Sequence, residues 1–306
     1  MTLNELRYVV AVARERHFGR AAAHCFVSQP SLSVAIKKLE DELGVPLFDR
    51  LPGHVQPTPI GEQIAEQARR VLADVETIRA LAANAKDPLA GPFRLGVIFS
   101  IGPYLLPRLI PRLAQRAPRM PLIIEENYTD ELGARLQRGE LDAVVLSLPY
   151  RAPDIDVQPI YQERFVVALP PGHPWTAQAS IDPAQLGDEN VLLLGPRHCF
   201  RDQVLALCPT LSHKAGQQRL EGSSLETIRY MVASGAGISV LPVGALGETP
   251  RDRALLAVRP FRGTAPYRQV ALASRSDFYR PQAIEVLAKA IAQCAPDAAG
   301  TSPALS

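Results

Sequence analysis

Cys199 and Cys208 bracket the segment with most chemistry in this chain, Pro196-Arg197-His198-Cys199-Phe200-Arg201-Asp202-Gln203-Val204-Leu205-Ala206-Leu207-Cys208. Pro196 is suited to open a helix, which puts Cys199 in a first turn. Free backbone N–H groups there, with His198 and Arg201 beside the thiol, favour a thiolate. A thiolate is the form that attacks peroxide and becomes a sulfenic acid. Nine residues along a helix span about 13–14 Å and two and a half turns. A disulfide needs Cα atoms roughly 4.4–6.8 Å apart, so the two cysteines cannot bond while the segment stays helical. A buried cysteine can also be a plain small apolar residue, and Cys25 and Cys294 read that way. His173 and His213 have no partners at metal-ligand spacing, and no cofactor fingerprint occurs; neither a metal nor a cofactor is expected.

The elements that must position Cys199 are short apolar strands alternating with helices. Strands are expected at Phe93–Phe99, Leu122–Glu125, Leu141–Leu148, Phe165–Leu169, Val191–Leu194, Ile238–Leu241 and Val270–Ala273. Helices are expected at Leu105–Arg116, Glu131–Arg138, near 200–207 and 225–234, and at Gln282–Ala292, with 296–306 a loose tail. The alternation predicts an α/β regulatory domain, 88–306, with a largely parallel sheet. It divides into lobe I, about 92–162 and 268–295, and lobe II, about 163–267. A cleft between lobes is a common place for a small effector.

The region before the hinge Asp87-Pro88-Leu89-Ala90-Gly91-Pro92 has a different pattern. Leu3, Leu6, Val10 and Ala13 predict a first helix, and Arg20–His24 a short second one. Ser28 suits an N-cap and Pro30 a first turn. Leu32, Ile36, Leu39 and Leu43 then form an apolar stripe that stops at Gly44 and Pro46. The other face carries Gln29, Pro30, Ser31, Ser33 and Lys37, groups suited to base edges and phosphates. Val45–Thr58 reads as a two-stranded wing from which Arg50 and His54 could reach DNA. Residues 1–58 are thus predicted to be a winged helix-turn-helix, and 59–87 a long linker helix. Ile64, Ala68, Val71, Val75, Ile78 and Ala82 alternate by four and three, a seam that predicts pairing of two chains.

Composition bounds these readings. Of 306 residues, 47% are apolar, enough for a sizeable core. No apolar run reaches the length of a membrane span, and the first residues do not read as a secretory signal, so the expected location is the cytoplasm, with no membrane partner. Residues 1–88 hold eleven Lys/Arg and eleven Asp/Glu. The electrostatic case for DNA is therefore weak, and the motif pattern carries it.

The motifs extend over nearly the whole chain. They are Phe18-Gly19-Arg20-Ala21-Ala22, Val27-Ser28-Gln29-Pro30-Ser31-Leu32-Ser33, Leu39-Glu40 with Leu43-Gly44, Leu47-Phe48-Asp49-Arg50, Thr58-Pro59-Ile60-Gly61 and Gly235–Pro242. With these the sequence resembles the LysR-type transcription regulators. That resemblance implies a winged helix-turn-helix, a linker helix and a periplasmic-binding-protein-like effector domain, assembled as a homodimer and usually a homotetramer on double-stranded promoter DNA, with RNA polymerase a candidate further partner. His198-Cys199-x-Arg201-Asp202-Gln203, Cys208 and Gly102–Pro107 resemble the members that sense hydrogen peroxide. In them the first cysteine is peroxidatic and the second resolving, which implies these roles for Cys199 and Cys208, with Arg201 and Asp202 as charged neighbours of the thiol. The resemblance also implies that Ser100, Thr129 and His198 hold peroxide. Ser100 is usually threonine there, so this chain keeps the hydroxyl and lacks the methyl. Joining Cys199 to Cys208 would require residues 199–208 to unravel or re-route, a switch that activates antioxidant genes. The alternatives are a regulator that binds a metabolite in the cleft, and a thiol peroxidase joined to DNA-binding helices.

Overall fold

The computed structural model describes residues 1–51, 54–84, 87–207, 211, 221–247, 249 and 254–296. The chain forms two compact units, one built on residues 1–86 and the other on 87–137 and 141 onward.

The first unit contains α1 (Leu3–Glu15), α2 (Phe18–His24), α3 (Gln29–Leu43), the hairpin β1 (Phe48–Leu51) and β2 (His54–Pro57), and α4 (Pro59–Asn84). Local chemistry sets the ends. Thr2 and Glu5 close a capping box on α1. Ser28 caps α3, and Gly44 ends it in the left-handed region at φ 72°. Val9, Val12, Leu32, Ile36, Leu39 and Leu47 form a fully buried core. The wing is tied to α3 by Glu40, whose Oε1 accepts from the Leu47 and Phe48 N–H groups at 2.7 and 3.2 Å. Thr58 Oγ1 donates to the Pro46 carbonyl and accepts from Gly61 N, both at 2.9 Å. A Cβ on Gly61 would lie 2.0 Å from the Leu47 carbonyl oxygen, so only glycine lets α4 start this close to the wing.

The stripe on α4 has two surroundings. Ala68 is buried within its own chain, where α4 packs on α1, and Ile64 lies half-buried against that core. Val71 and Val75 are half-buried, Ile78 is 65% exposed and Ala82 is exposed. The first turns therefore serve the chain's own core, because a 26-residue helix outruns the small domain it packs on.

The second unit contains β3 (Phe93–Ile98), α5 (Gly102–Arg116), β4 (Leu122–Asn127), α6 (Thr129–Gln137), β5 (Ala143–Ser147), β6 (Ile155–Leu169), β7 (Leu193–Leu194), α7 (Cys199–Leu207), β8 (Glu221–Gly222), α8 (Leu225–Ala233), β9 (Ser239–Pro242), β10 (Ala257–Pro260), β11 (Tyr267–Arg275) and α9 (Pro281–Ala292). In the seven-stranded sheet β4, β3 and β5 are parallel, and β7 and β8 form a separate parallel pair. The rest of the seven-stranded sheet is antiparallel: β11 joins β5 to β6, and β6 also carries β9 and β10. The sheet is therefore mixed, not largely parallel as the alternation suggested. β6 is also longer than the expected Phe165–Leu169. It begins at Ile155, and its first half mixes polar residues with Ile155, Val157, Ile160 and Tyr161, which pack on the lobe I cluster while the strand pairs with β11. Two buried clusters result. One draws on residues 93–146 and 270–294, the other on 165–261. β6 and β11 run between them, pairing Glu163 with Arg268.

Candidate functional site

The first candidate surface is the outward face of α3. Burial of Leu32, Ile36 and Leu39 fixes the rotation of this helix. Gln29, Pro30, Ser31, Lys37 and Lys38 are exposed, and Ser33 is half-buried. The Ser31 hydroxyl lies 2.8 Å from Ser28 Oγ and belongs to the N-cap as much as to the outward face. Gln29 Oε1 lies 3.4 Å from where a Gly19 Cβ would sit, so its side chain reaches the start of α2. Val34, which the sequence reading passed over, is 68% exposed on this face. The backbones of Arg50 and His54 pair in the wing, Arg50 with Val55 and His54 with Leu51, while their side chains lie outside the described residues.

The second candidate site surrounds Cys199. Cys199 is the first residue of α7, with Pro196 in the turn before it instead of inside the helix. The thiol is unbonded and half-buried. It packs against the lobe I cluster, while its neighbours Phe200 and Val204 are buried in the lobe II cluster. Cys208 and His213 lie outside the described residues.

The ends of β3 and β4 deliver the expected hydroxyls. These strands are parallel neighbours, paired to Ile98 and Asn127, so Ser100 and Thr129 leave adjacent C-terminal ends. Such ends are where open α/β sheets bind ligands. The flanking rings place His198 there too. Tyr128 lies 5.0 Å from the imidazole, Phe99 6.0 Å, and the two rings meet at 5.1 Å. Arg197 covers the outer side, 4.1 Å from the Tyr128 ring. Thr129 is half-buried, at the start of α6.

Ser100 is buried and held by Arg268. One Arg268 nitrogen donates to Ser100 Oγ at 2.8 Å and another to its carbonyl at 2.9 Å. A guanidinium can only donate, so the Ser100 O–H is left to donate elsewhere. Glu163 holds Arg268 at 2.6 Å and accepts from Gly244 N at 3.0 Å through its other oxygen. The guanidinium also lies 5.5 Å from the ring of Phe200, next in sequence to the thiol. The charged pair is nearly fully buried, which is tolerable only because partners surround it. Arg268 and Glu163 escaped the sequence reading because they lie far from Cys199 in the chain. A buried Arg–Glu pair on neighbouring strands leaves no local motif.

The expected charges around the thiol have other duties. Burial pushes the His198 imidazole below its ordinary value, against a hydrogen bond with the Ser223 backbone. Burial thus disfavours the positive charge on this ring. Arg201 donates to the Leu194 carbonyl at 2.8 Å and pairs with Glu221 at 2.5 Å, which neutralises it. Asp202 is exposed in the first turn of α7. Gln203 bridges the lobes, donating to Ser147 Oγ at 2.9 Å and the Leu148 carbonyl at 3.2 Å. Its Oε1 is buried without a partner.

A void lined by Tyr104, Tyr161, Glu163, Arg268 and Cys294 lies beside this network and measures about 10 Å³. That is room for about one water. Tyr104 crosses from α5 to donate to Glu226 on α8 at 3.0 Å. Among the described residues no His, Cys, Asp and Glu cluster could hold a metal, and no helix is long and apolar enough to cross a membrane.

A helix-turn-helix unit followed by a two-lobed α/β unit defines a class of one-chain regulators. Residues 3–62 match the bacterial regulatory helix-turn-helix protein, lysR family, and residues 86–295 the LysR substrate binding domain. The chain belongs to the LysR family of transcriptional regulators. It is 38% identical over 295 residues to the DNA-binding transcriptional dual regulator OxyR of Escherichia coli K12, covering 95% of each chain. It is 35% identical over 292 residues to a probable hydrogen peroxide-inducible genes activator of Mycobacterium avium, covering 95% of this chain and 94% of that one. Full-length OxyR C199D from Pseudomonas aeruginosa superposes with a TM-score of 0.78 at 52% identity over 96% of each chain. A hydrogen-peroxide-bound mutant of Corynebacterium glutamicum OxyR gives 0.64 at 32% identity, over 96% of this chain and 92% of that one.

Proposed function

We propose that this chain is a DNA-binding transcription regulator that senses hydrogen peroxide through Cys199 and activates antioxidant genes. The observation that carries the reading is the position of Cys199: its thiol packs on lobe I while Phe200, one residue on, is locked into lobe II. Chemistry at this sulfur acts on both lobes at once. The Cys199 thiolate attacks one peroxide oxygen, the O–O bond breaks, hydroxide leaves, and a sulfenic acid remains. The Cys208 thiolate then attacks that sulfur, releasing hydroxide and leaving a Cys199–Cys208 disulfide. Ser100, Thr129 and His198 hold the peroxide, with Ser100 oriented by Arg268. Gln29, Pro30, Ser31, Ser33, Lys37, Arg50 and His54 face DNA, and the exposed half of the α4 stripe pairs with a second copy. In this reading the protein works in the cytoplasm and reacts once per signal, not as a turnover enzyme.

The test is a peroxide titration of the purified protein that follows thiol state by mass spectrometry and DNA footprint together. A Cys199–Cys208 bond that appears in step with a changed footprint is expected. Cys199→Ser protein that still changes its footprint with peroxide would overturn the reading. Sustained peroxide turnover with a reductant would favour an enzyme.

A further inference from the structure

We infer that Val34 is a specificity-determining residue that reads the C5-methyl of a thymine in the major groove. The inference rests on the proposed DNA-reading role of α3. With Leu32, Ile36 and Leu39 fully buried, the direction of every other α3 side chain is set. Val34 is two residues from Ile36, and at about 100° per residue it lies nearly opposite the core. It is 68% exposed, an apolar group on an outward face that also carries Pro30, Ser31, Lys37, Lys38 and, two turns further along, Asp41. A recognition helix reads base edges from the N-terminal part of the face it turns into the major groove, and the flanks of that face meet phosphates. Lys37 and Lys38 stand on those flanks. A valine on that face offers no hydrogen bond, so of the major-groove base edges only the thymine methyl complements it. The partly committed hydroxyl of Ser31 makes this apolar contact weightier.

Full-length reduced protein would be used to select duplexes from a random-sequence pool. Each thymine in a selected duplex is then replaced singly by uracil, which removes only the C5-methyl. Wild type is expected to lose about four-fold in affinity at one thymine per half-site, the factor a buried methyl is worth. Val34→Ala is expected to become indifferent at that position alone and to bind a thymine-free duplex as wild type does. Alanine favours helix, and the site is exposed, so α3 persists. Identical uracil scans for both proteins would overturn the inference, as would an equal loss on the thymine-free duplex. Failure to select any duplex would remove the DNA-reading role and this inference with it.

Discussion

At Ser100 a single hydroxyl serves two masters. Arg268 takes one lone pair of its oxygen, which leaves the O–H to donate elsewhere. Ser100→Ala is expected to slow oxidation of Cys199 about ten-fold, the kinetic worth of one hydrogen bond, and Ser100→Thr to restore it. Stopped-flow thiol loss under peroxide measures this, and equal rates for Ser100→Ala and wild type would exclude the hydroxyl. His198 carries a second prediction. Its folded pKa lies below the ordinary 6.5, so the unfolded chain binds the proton more readily. Stability is full above that ordinary value and falls as pH drops toward the folded one. Thermal melts at about pH 7.5 and pH 5.5 are expected to differ more for wild type than for His198→Gln. An equal difference would show that the imidazole is not what titrates.

At the scale of elements, α7 and α4 each do two things. α7 buries Phe200 and Val204 in lobe II while presenting Cys199 to lobe I. A helix of nine residues has little stability of its own beyond this packing. Phe200→Ala is therefore expected to lower the stability of the second unit by about 3–5 kcal/mol, read as a shifted denaturant midpoint. Brief peroxide treatment is expected to remove amide-exchange protection from residues 199–207. Protection that survives disulfide formation would mean the thiols meet without the helix opening. In α4 the exposed half of the stripe is the half available to a partner. Ile78→Asp with Val75→Asp is expected to give a lower sedimentation coefficient without loss of the first unit's fold, whose core uses Ala65 and Leu47 instead. An unchanged coefficient would place the self-contact elsewhere.

At the scale of the whole molecule, β6 and β11 matter most. They are the strands shared by both lobes, and at Glu163–Arg268 they carry the buried pair that touches Ser100 and faces Phe200. The ring next in sequence to Cys199 thus lies against the pair that joins the crossing strands. Oxidised protein is expected to shift the spacing between protected half-sites while the bases protected within each stay the same. Superimposable footprints for the two redox forms would rule out such repositioning.

Local rules settled much of this protein from its sequence. Ser28, Gly44, Thr58-Pro59 and the Leu32–Ile36–Leu39 stripe specify helix-turn-helix elements because caps, left-handed glycines and helical period act over a few residues. Cys199 at the start of a helix was legible for the same reason. What surrounds that thiol was not. The lowered pKa of His198 arises from burial, the diversion of Arg201 to Glu221 from a partner 20 residues away, and the Arg268–Glu163 clamp from strands 105 residues apart in the chain. Val34 lay between these cases: its type was visible, but its place on an exposed face is fixed by the core on the far side of α3. Spacing along the chain determines which side chains share an element; only packing decides which charges are desolvated, which are paired, and which remain free to act.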